Sequence, residues 1–393
     1  MELLSRASEL APELIEIRRD IHAHPELSFM ETRTAALVAD RLKSLGYRVR
    51  SDVGVTGCVG ELGSGDGRTV ALRADMDALP IQETNDVPYR SQVDGVMHAC
   101  GHDAHVTCLL GAAILLAQSE RSGDLPAGRV RLIFQPSEEM TDEHNVGGAQ
   151  RMIEDGAMEG VDAVVGLHVA AESPANEVLF REGPLMAGND TLLGTIRGTS
   201  AHAALPHEGK DALLLASHVI LAAQGIVARR VDPLQPAVVT FGTIEGGTAS
   251  NILCSEVRLE GTLRYFDSEV RSTLHEELQR AFAVADAIGG EGRIQIRDGN
   301  PPVINDVRLT EIVRSAARSV VGEDDVVVAD LIMGAEDFAF LAREAPGCFF
   351  WLGAAIEDDR RNHHSPRFDI DESCLPRGAA VLAAAACKVL AEW

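Results

Sequence analysis

Residues 189–198 read NDTLLGTIRG, a strand, and they open the longest ordered pattern in the chain. A helix follows in DALLLASHVILAAQGIVARR (211–230), then strands in AVVTFGTIEGG (237–247) and SEVRLEGTLRYFD (255–267). A second helix, SEVRSTLHEELQRAFAVADAIGG (268–290), and a last strand, GRIQIRDG (292–299), complete it. Strand, helix, strand, strand, helix, strand is the ferredoxin-like βαββαβ unit. Outside it the pattern changes. TGCVGELG (56–63), RTVALRADMD (68–77), RVRLIFQPS (129–137), DAVVGLHVA (162–170) and GCFFWLGAA (347–355) are short apolar runs bounded by Gly, Pro or charge. Several lack period-two alternation, which suits strands covered on both faces. Helical stretches separate them, notably AHVTCLLGAAILLAQSE (104–120) and GGAQRMIEDGAMEG (147–160), so this part is an α/β layer structure with a mostly parallel sheet. The α/β pattern resumes after Asn300-Pro301-Pro302 with TEIVRSAARSVVG (310–322) and a last helix from Pro376 to Trp393. The expected organisation is a discontinuous larger domain, residues 1–186 and 300–393, with a ferredoxin-like domain inserted at 187–299.

The N-terminal 45 residues carry helical spacing in APELIEIRRDIHAH (11–24) and ETRTAALVADRLKSLG (31–46), with Gly46 as the stop. The whole chain has 393 residues, 60 Asp and Glu against 35 Lys and Arg, and a formal charge of −25. Nucleic acid and anionic membranes require a basic face, so neither is an expected partner. No run of about 18 uncharged apolar residues is evident, and the first stretch carries acids throughout, so a cytoplasmic protein is expected. The seven cysteines are odd in number and scattered, which fits a reducing compartment.

The densest chemical constellation is Met97-His98-Ala99-Cys100-Gly101-His102-Asp103-Ala104-His105, directly before an apolar helix. Divalent ions of the zinc type favour thiolate, imidazole and carboxylate, and a spacing of two in an extended loop aims Cys100 and His102 at one point. The alternative is histidines capping a helix beside a buried small thiol. Further donors stand where strands end: Glu138 and Glu139 after RVRLIFQPS, His168 in GLHV, and His363 and His364 after GCFFWLGAA. In an open α/β sheet the carboxyl ends of the strands line one crevice. Five donors exceed what one tetrahedral ion needs and suit two ions about 3.5–4 Å apart, bridged by water. Of the adjacent carboxylates, one can hold metal while its neighbour moves a proton. Asp75 and Asp77 end another strand, where they can orient a ligand or form an Asx turn before Pro80. His22 and His24 sit in a helix ending at Pro25 and are poor ligand candidates. His105 lies three residues after His102 on the same helical face and can shape the site without coordinating. Glu336 and Asp337 follow Gly334 at a helix start, where capping is the ordinary role.

At this point the chain resembles the dinuclear metal amidohydrolases and peptidases that include aminoacylases and carboxypeptidase G. Within them it is most similar to the branch of hippurate hydrolases and plant indole-acetyl-amino-acid hydrolases. The resemblance runs in order through IRRDIHAHPELSFMET, ALRADMDALPIQE, MHACGHDAHVT, FQPSEE, GLHV, SAHAALPHEGKDA, GGTASNILCSEVRLEGTLR, MGAEDFAF and HSPRFDIDE. It implies Cys100, His102, Glu139, His168 and His364 as ligands of two divalent ions, with Cys100 bridging and His364 preferred over His363 for standing before Ser365-Pro366. Manganese, zinc, cobalt and nickel all suit such a set. Glu138 is implied as general base, His202 as an imidazole that helps stabilise the oxyanion, Asn251 and Arg264 as groups that hold the acyl amino acid, and the segment of Glu336 and Asp337 as a border of the substrate pocket. For Arg264 a solvent-facing strand arginine is the competing explanation. The implied activity is hydrolysis of N-acyl amino acids by a homodimer or higher homo-oligomer joined through the inserted domain. A dipeptidase or carboxypeptidase with the same centre, and a non-catalytic metal or metabolite-binding protein, are the other readings. Two departures stand out: MTDEHNV (140–146), with His144, precedes the glycines that usually follow the Glu pair sooner, and Thr199-Ser200-Ala201 replace glycines.

Overall fold

Apolar runs without alternation form the middle of the sheet because both of their faces are covered. The protein is described by a computed structural model over residues 2–64, 66–359 and 361–393. In chain order its strands are β1 (Arg48–Val53), β2 (Gly57–Gly63), β3 (Thr69–Asp75), β4 (Arg129–Gln135), β5 (Ala163–Pro174), β6 (Val178–Phe180), β7 (Gly183–Met186), β8 (Gly188–Arg197), β9 (Ala237–Gly246), β10 (Glu256–Tyr265), β11 (Glu291–Asp298), β12 (Val303–Asn305), β13 (Val326–Val328) and β14 (Gly347–Ala355). The helices are α1 (Glu2–Glu9), α2 (Ala11–Ala23), α3 (Thr32–Leu45), α4 (His102–Ser122), α5 (Gly148–Glu154), α6 (Ala212–Arg230), α7 (Ser268–Ala287), α8 (Val307–Val321), α9 (Phe338–Glu344) and α10 (Cys374–Glu392). Two compact units result: Met1–Leu185 with Ile304–Asp330 and Asp337–Trp393, and Met186–Val303 with Leu331–Glu336.

The larger unit holds an eight-stranded sheet in the order β1-β2-β4-β3-β5-β14-β6-β13. Its central strands β4, β3, β5 and β14 are parallel, and antiparallel pairings flank them. Every residue of β3 is buried. Register decides what meets at the site: Asp75 pairs with Gln135, His168 pairs with Trp351, and Arg73 pairs with Gly166. That last pairing sets His168 level with Asp75. His168 lies inside β5, which runs on to Pro174, so the strand does not end at the histidine as the sequence suggests. Two helices, α6 and α10, are long and apolar enough to cross a membrane, which the count of uncharged runs did not anticipate. Most of α10 is buried against the sheet and α4, the position of a core helix.

The smaller unit is a four-stranded antiparallel sheet in the order β11-β8-β10-β9, the ferredoxin-like order that the sequence pattern implies. Leu192, Ile196, Leu259 and Leu263 of the sheet form one core with Leu215 and Val219 of α6 and Leu278 and Phe282 of α7.

Candidate metal centre

Two glycines shape the loops that carry the donors. Gly101, at φ +92°, turns the chain between Cys100 and His102, and a Cβ there would stand 2.3 Å from the Val169 side chain. Gly148 lies against the loop after β4, where a Cβ would sit 1.6 Å from the Pro136 carbonyl oxygen. Its amide donates to Ser137 O (2.9 Å), closing the turn that presents Glu138 and Glu139.

Around these loops the larger unit gathers Cys100, His102, Glu138, Glu139, His168 and His364. Donor atoms lie within 4.8 Å of one another in three overlapping groups: Cys100, His102 and His168; Cys100, Glu139 and His364; and His102, Glu138 and Glu139. Cys100 Sγ is 3.4 Å from His168 Nε2. Two ligands on one tetrahedral ion with typical bond lengths stand about 3.5 Å apart, so the spacing fits.

Hydrogen bonds from the outer ring atoms fix which lone pairs point inward. His102 Nδ1 donates to the Asp77 carbonyl oxygen (2.8 Å), and His168 Nδ1 donates to Val169 O (2.8 Å). A carbonyl only accepts, so both protons sit on Nδ1 and each Nε2 faces the centre. His102 Nε2 is buried without a hydrogen-bond partner, 3.7 Å from Asp75 Oδ2 and 4.0 Å from Glu139 Oε1, while Glu139 Oε1 pairs with His364 Nε2 at 3.1 Å. An inward-facing imidazole nitrogen beside a thiol and a carboxylate is a donor set suited to a divalent cation. The electrostatics agree. Burial works against the charge of His102, yet Asp75, Asp77 and Glu139 raise its pKa to about 10. Burial, then Glu139, Glu138 and Asp75, push the Cys100 thiol well up. The donor set therefore carries surplus negative field that divalent cations would satisfy.

His363 and His364 divide in the way their hydrogen bonds dictate. His363 Nε2 accepts from the Ala171 amide (3.3 Å), which leaves its proton on Nδ1, 3.8 Å from Cys100 Sγ. His364 adopts φ +57° and keeps Nε2 toward Glu139. His105 is likewise occupied: Nε2 accepts from Val169 N (2.9 Å) and Nδ1 meets Asp75 Oδ1 (2.6 Å). Asp77 Oδ1 accepts from the Glu138 amide and Oδ2 from the Glu139 amide, each at 3.0 Å, while Oδ2 also accepts from Ser28 Oγ (2.7 Å).

Several residues shape this site through contacts that the local motifs do not specify. Arg73, fully buried in β3, donates to Asp75 Oδ2 (2.8 Å), Asp337 Oδ1 (2.8 Å) and Gln135 Oε1 (2.9 Å). Asp337 stands at the start of α9 but makes no side-chain cap; its carboxylate goes to Arg73, Gln135 and the Ala149 amide, which corrects the capping role expected for it. Arg18 of α2 donates to Asp103 Oδ2 (2.8 Å) and Asp369 Oδ1 (2.9 Å), and His22 Nδ1 lies 2.7 Å from Asp103 Oδ2. In sequence they show as charged residues inside quoted blocks, Arg18 in IRRDIHAHPELSFMET, Arg73 in ALRADMDALPIQE and Asp337 in MGAEDFAF, with nothing to say which partners they take. His144 is exposed beside Glu143, and the 140–146 loop is held by Asp142, which accepts from His144 N and Val146 N and pairs with Arg151.

The remaining candidates belong to the smaller unit. His202 and Asn251 lie together there: Ala203 N donates to Asn251 O (3.0 Å) and Leu253 N to Ala201 O (2.9 Å), and both candidates are exposed. Arg264, half-buried on β10, donates to Met333 O, Leu263 O and Thr262 Oγ1, and meets no carboxylate among the described residues.

Comparison with known proteins adds three findings. The profile of Peptidase family M20/M25/M40 matches residues 71–388. The chain is 41% identical over 388 residues to an N-acetyl-L-cysteine deacetylase of Bacillus subtilis, covering 98% of this chain and 89% of that protein, and 40% identical over 393 residues to thermostable carboxypeptidase 2 of Saccharolobus solfataricus, covering 98% of each. Among solved structures it resembles the Bacillus subtilis YXEP protein, described as a dinuclear metal-binding peptidase of the same family, with a TM-score of 0.85 and 34% identity over 98% of this chain and 100% of the other.

Proposed function

The chain belongs to peptidase family M20/M25/M40, among its metal-dependent amidohydrolases and peptidases, and from that premise we propose that it hydrolyses the amide bond of N-acyl amino acids, releasing a carboxylic acid and a free amino acid. The observation that carries the reading is the convergence of Cys100, His102, Glu139, His168 and His364 donor atoms in overlapping groups, with His102 Nε2 buried and without a hydrogen-bond partner and a second carboxylate, Glu138, next to Glu139 in the chain. Two divalent cations at Cys100, His102, Glu139, His168 and His364 would supply Lewis-acid polarisation of the scissile carbonyl. Manganese, zinc, cobalt and nickel all remain compatible with one thiolate, imidazoles and a carboxylate. Glu138 takes the proton of the attacking water and delivers it to the leaving nitrogen. Asp77 and Asp75 hold the imidazoles of His102 and His105 from outside. We assign His202 to oxyanion support and Asn251 and Arg264 to the acyl amino acid; that Arg264 meets no carboxylate among the described residues supports a role in binding one.

The smaller unit, residues 187–299 in outline, is proposed to join two copies. Strand β9 is an edge with Ile244 55% exposed, and α6 beside it exposes Leu221 at 72%. A long exposed edge is a template for pairing with another chain. Ile244→Lys should shift a dimer toward monomer by sedimentation; an unchanged mass would reject this face. All seven cysteines are free, which supports a reducing, cytoplasmic location. Likeness to a thermostable carboxypeptidase favours peptide hydrolysis as the second reading. Reconstitution with each metal, followed by a hydrolysis screen over N-acetyl and N-benzoyl amino acids and free-amine dipeptides, decides between them. Turnover of dipeptides alone would overturn the N-acyl assignment, and no turnover of either class would favour a binding protein.

A further inference from the structure

Glu31 lies outside the donor set, immediately before α3, and is fully buried. Its Oε1 accepts from the Phe29 amide and from the Ser137 amide, each at 2.9 Å, and its Oε2 accepts from Thr56 Oγ1. Three loops thus converge on one carboxylate, and each has a residue in the left-handed region at or beside the contact: Phe29 at φ +60°, Ser137 at +47° and Val55 at +85°. Side chains other than glycine adopt that region only when surrounding contacts hold them there. Ser137 directly precedes Glu138. Its amide goes to Glu31, while the next two amides, of Glu138 and Glu139, go to the two oxygens of Asp77. Three successive backbone N–H groups are therefore captured by two buried carboxylates supplied from other parts of the chain.

We propose that Glu31 is a positioning residue: it fixes the left-handed turn at Ser137 and so sets where the Glu138 and Glu139 side chains stand. The proposal rests on the reading of Glu138 as the proton carrier. Phe29, Ser137 and Thr56 offer Glu31 two N–H donors on one oxygen and a hydroxyl on the other, an arrangement that a carboxylate, a protonated carboxyl or an amide can each satisfy. Burial pushes the Glu31 carboxyl up to about 7, consistent with a site that tolerates the neutral form. Gln at this position keeps an oxygen for both amides and can donate to Thr56 Oγ1. Ala leaves both amides without an acceptor, and Asp is one methylene short of spanning the two turns.

The test compares Glu31→Gln, Glu31→Ala and Glu138→Gln in metal-reconstituted enzyme, with hydrogen exchange read on the metal-free protein. Glu31→Ala should lower kcat about 100-fold, the cost of displacing a reacting group by about 1 Å, with KM little changed. Exchange should rise in the segment 136–140 while α3 and α4 stay protected, and Glu31→Gln should restore both readouts. If Glu31→Ala does not accumulate folded, Glu31→Asp replaces it with the same expectation. Wild-type kcat in the folded Ala or Asp variant overturns the proposal. So does equal loss in Glu31→Gln, or faster exchange spread evenly along the chain. Should Glu138→Gln keep its turnover, the reading of Glu138 falls; if that variant is inactive while Glu31→Ala is normal, only the positioning role falls.

Discussion

Removing the Arg73 guanidinium asks how much the buried ion network beneath the donor loops contributes to the fold. Arg73→Met keeps most of the apolar stem and deletes the charge. Among the partners of the guanidinium are the Asp75 and Asp337 carboxylates, each at 2.8 Å, and none of these three side chains is more than 3% exposed. An exposed pair would be worth under about 1 kcal/mol. Two buried charge-assisted hydrogen bonds contribute about 1.5–3 kcal/mol each, and breaking a buried pair costs about 3–5 kcal/mol. One relief operates: burial already holds the Asp337 carboxyl above its ordinary range, so without Arg73 it can take up a proton instead of staying charged and unpaired. The loss should then fall near about 3 kcal/mol, the lower end of the range for a broken buried pair. At about 2 °C per kcal/mol for a unit of this size, calorimetry of the metal-free protein should show its melting roughly 6 °C lower. The same relief makes the pair non-additive, so Arg73→Met with Asp337→Asn should cost at least about 1 kcal/mol less than the two single changes summed. A shift under about 2 °C, or costs that add within about 0.5 kcal/mol, would refute the reasoning.

Glu138→Gln should cut turnover by about 100-fold or more while elemental analysis still finds wild-type metal, because the amide cannot accept the proton; near-normal turnover contradicts that role. Cys100→Ala should reduce the metal bound per chain, and unchanged stoichiometry would remove the thiol from the site. Glu31 gives a pH signature in the metal-free protein. Burial raises its pKa from 4.5 to about 7, so between those values the folded state keeps a proton that the unfolded chain has lost. Stability relative to Glu31→Gln should therefore be flat below the lower value, fall by up to about 3 kcal/mol across the window, and be flat above it. A difference in urea unfolding that does not vary with pH would count against this.

The fold was legible where covalent periodicity and burial coincide. The βαββαβ run from 189 to 299 could be read because each element buries one face in a local core, and the order β11-β8-β10-β9 follows from it. Uninterrupted apolar runs pointed to the central parallel strands for a different reason, burial on both faces. What periodicity could not supply was strand length and register: β5 continues past His168 because β14 goes on pairing with it as far as Pro174. Helix α5 stops at Glu154, short of the stretch GGAQRMIEDGAMEG, and the chain turns through Gly156 at φ +76°.

The site divides along a similar line. Donor residues stood out because thiol, imidazole and adjacent carboxylates are rare together, whereas the groups that orient them are ordinary residues whose partners lie far away in sequence. Arg73 meets Asp337 across 264 positions, Arg18 meets Asp369 across 351, and Glu31 meets Ser137 across 106. No local pattern encodes such a pair; it exists only after the sheet has set its register. Asp77 illustrates both halves. Its place at the end of ALRADMD suggested an orienting carboxylate or a local turn, but its use by His102, Glu138, Glu139 and Ser28 follows from where β3 and β4 finish side by side. A carboxylate shared among four donors also constrains its neighbours. The Glu138 and Glu139 amides occupy both Asp77 oxygens, so the turn before them needs a separate acceptor, and Glu31 is the buried group that meets it.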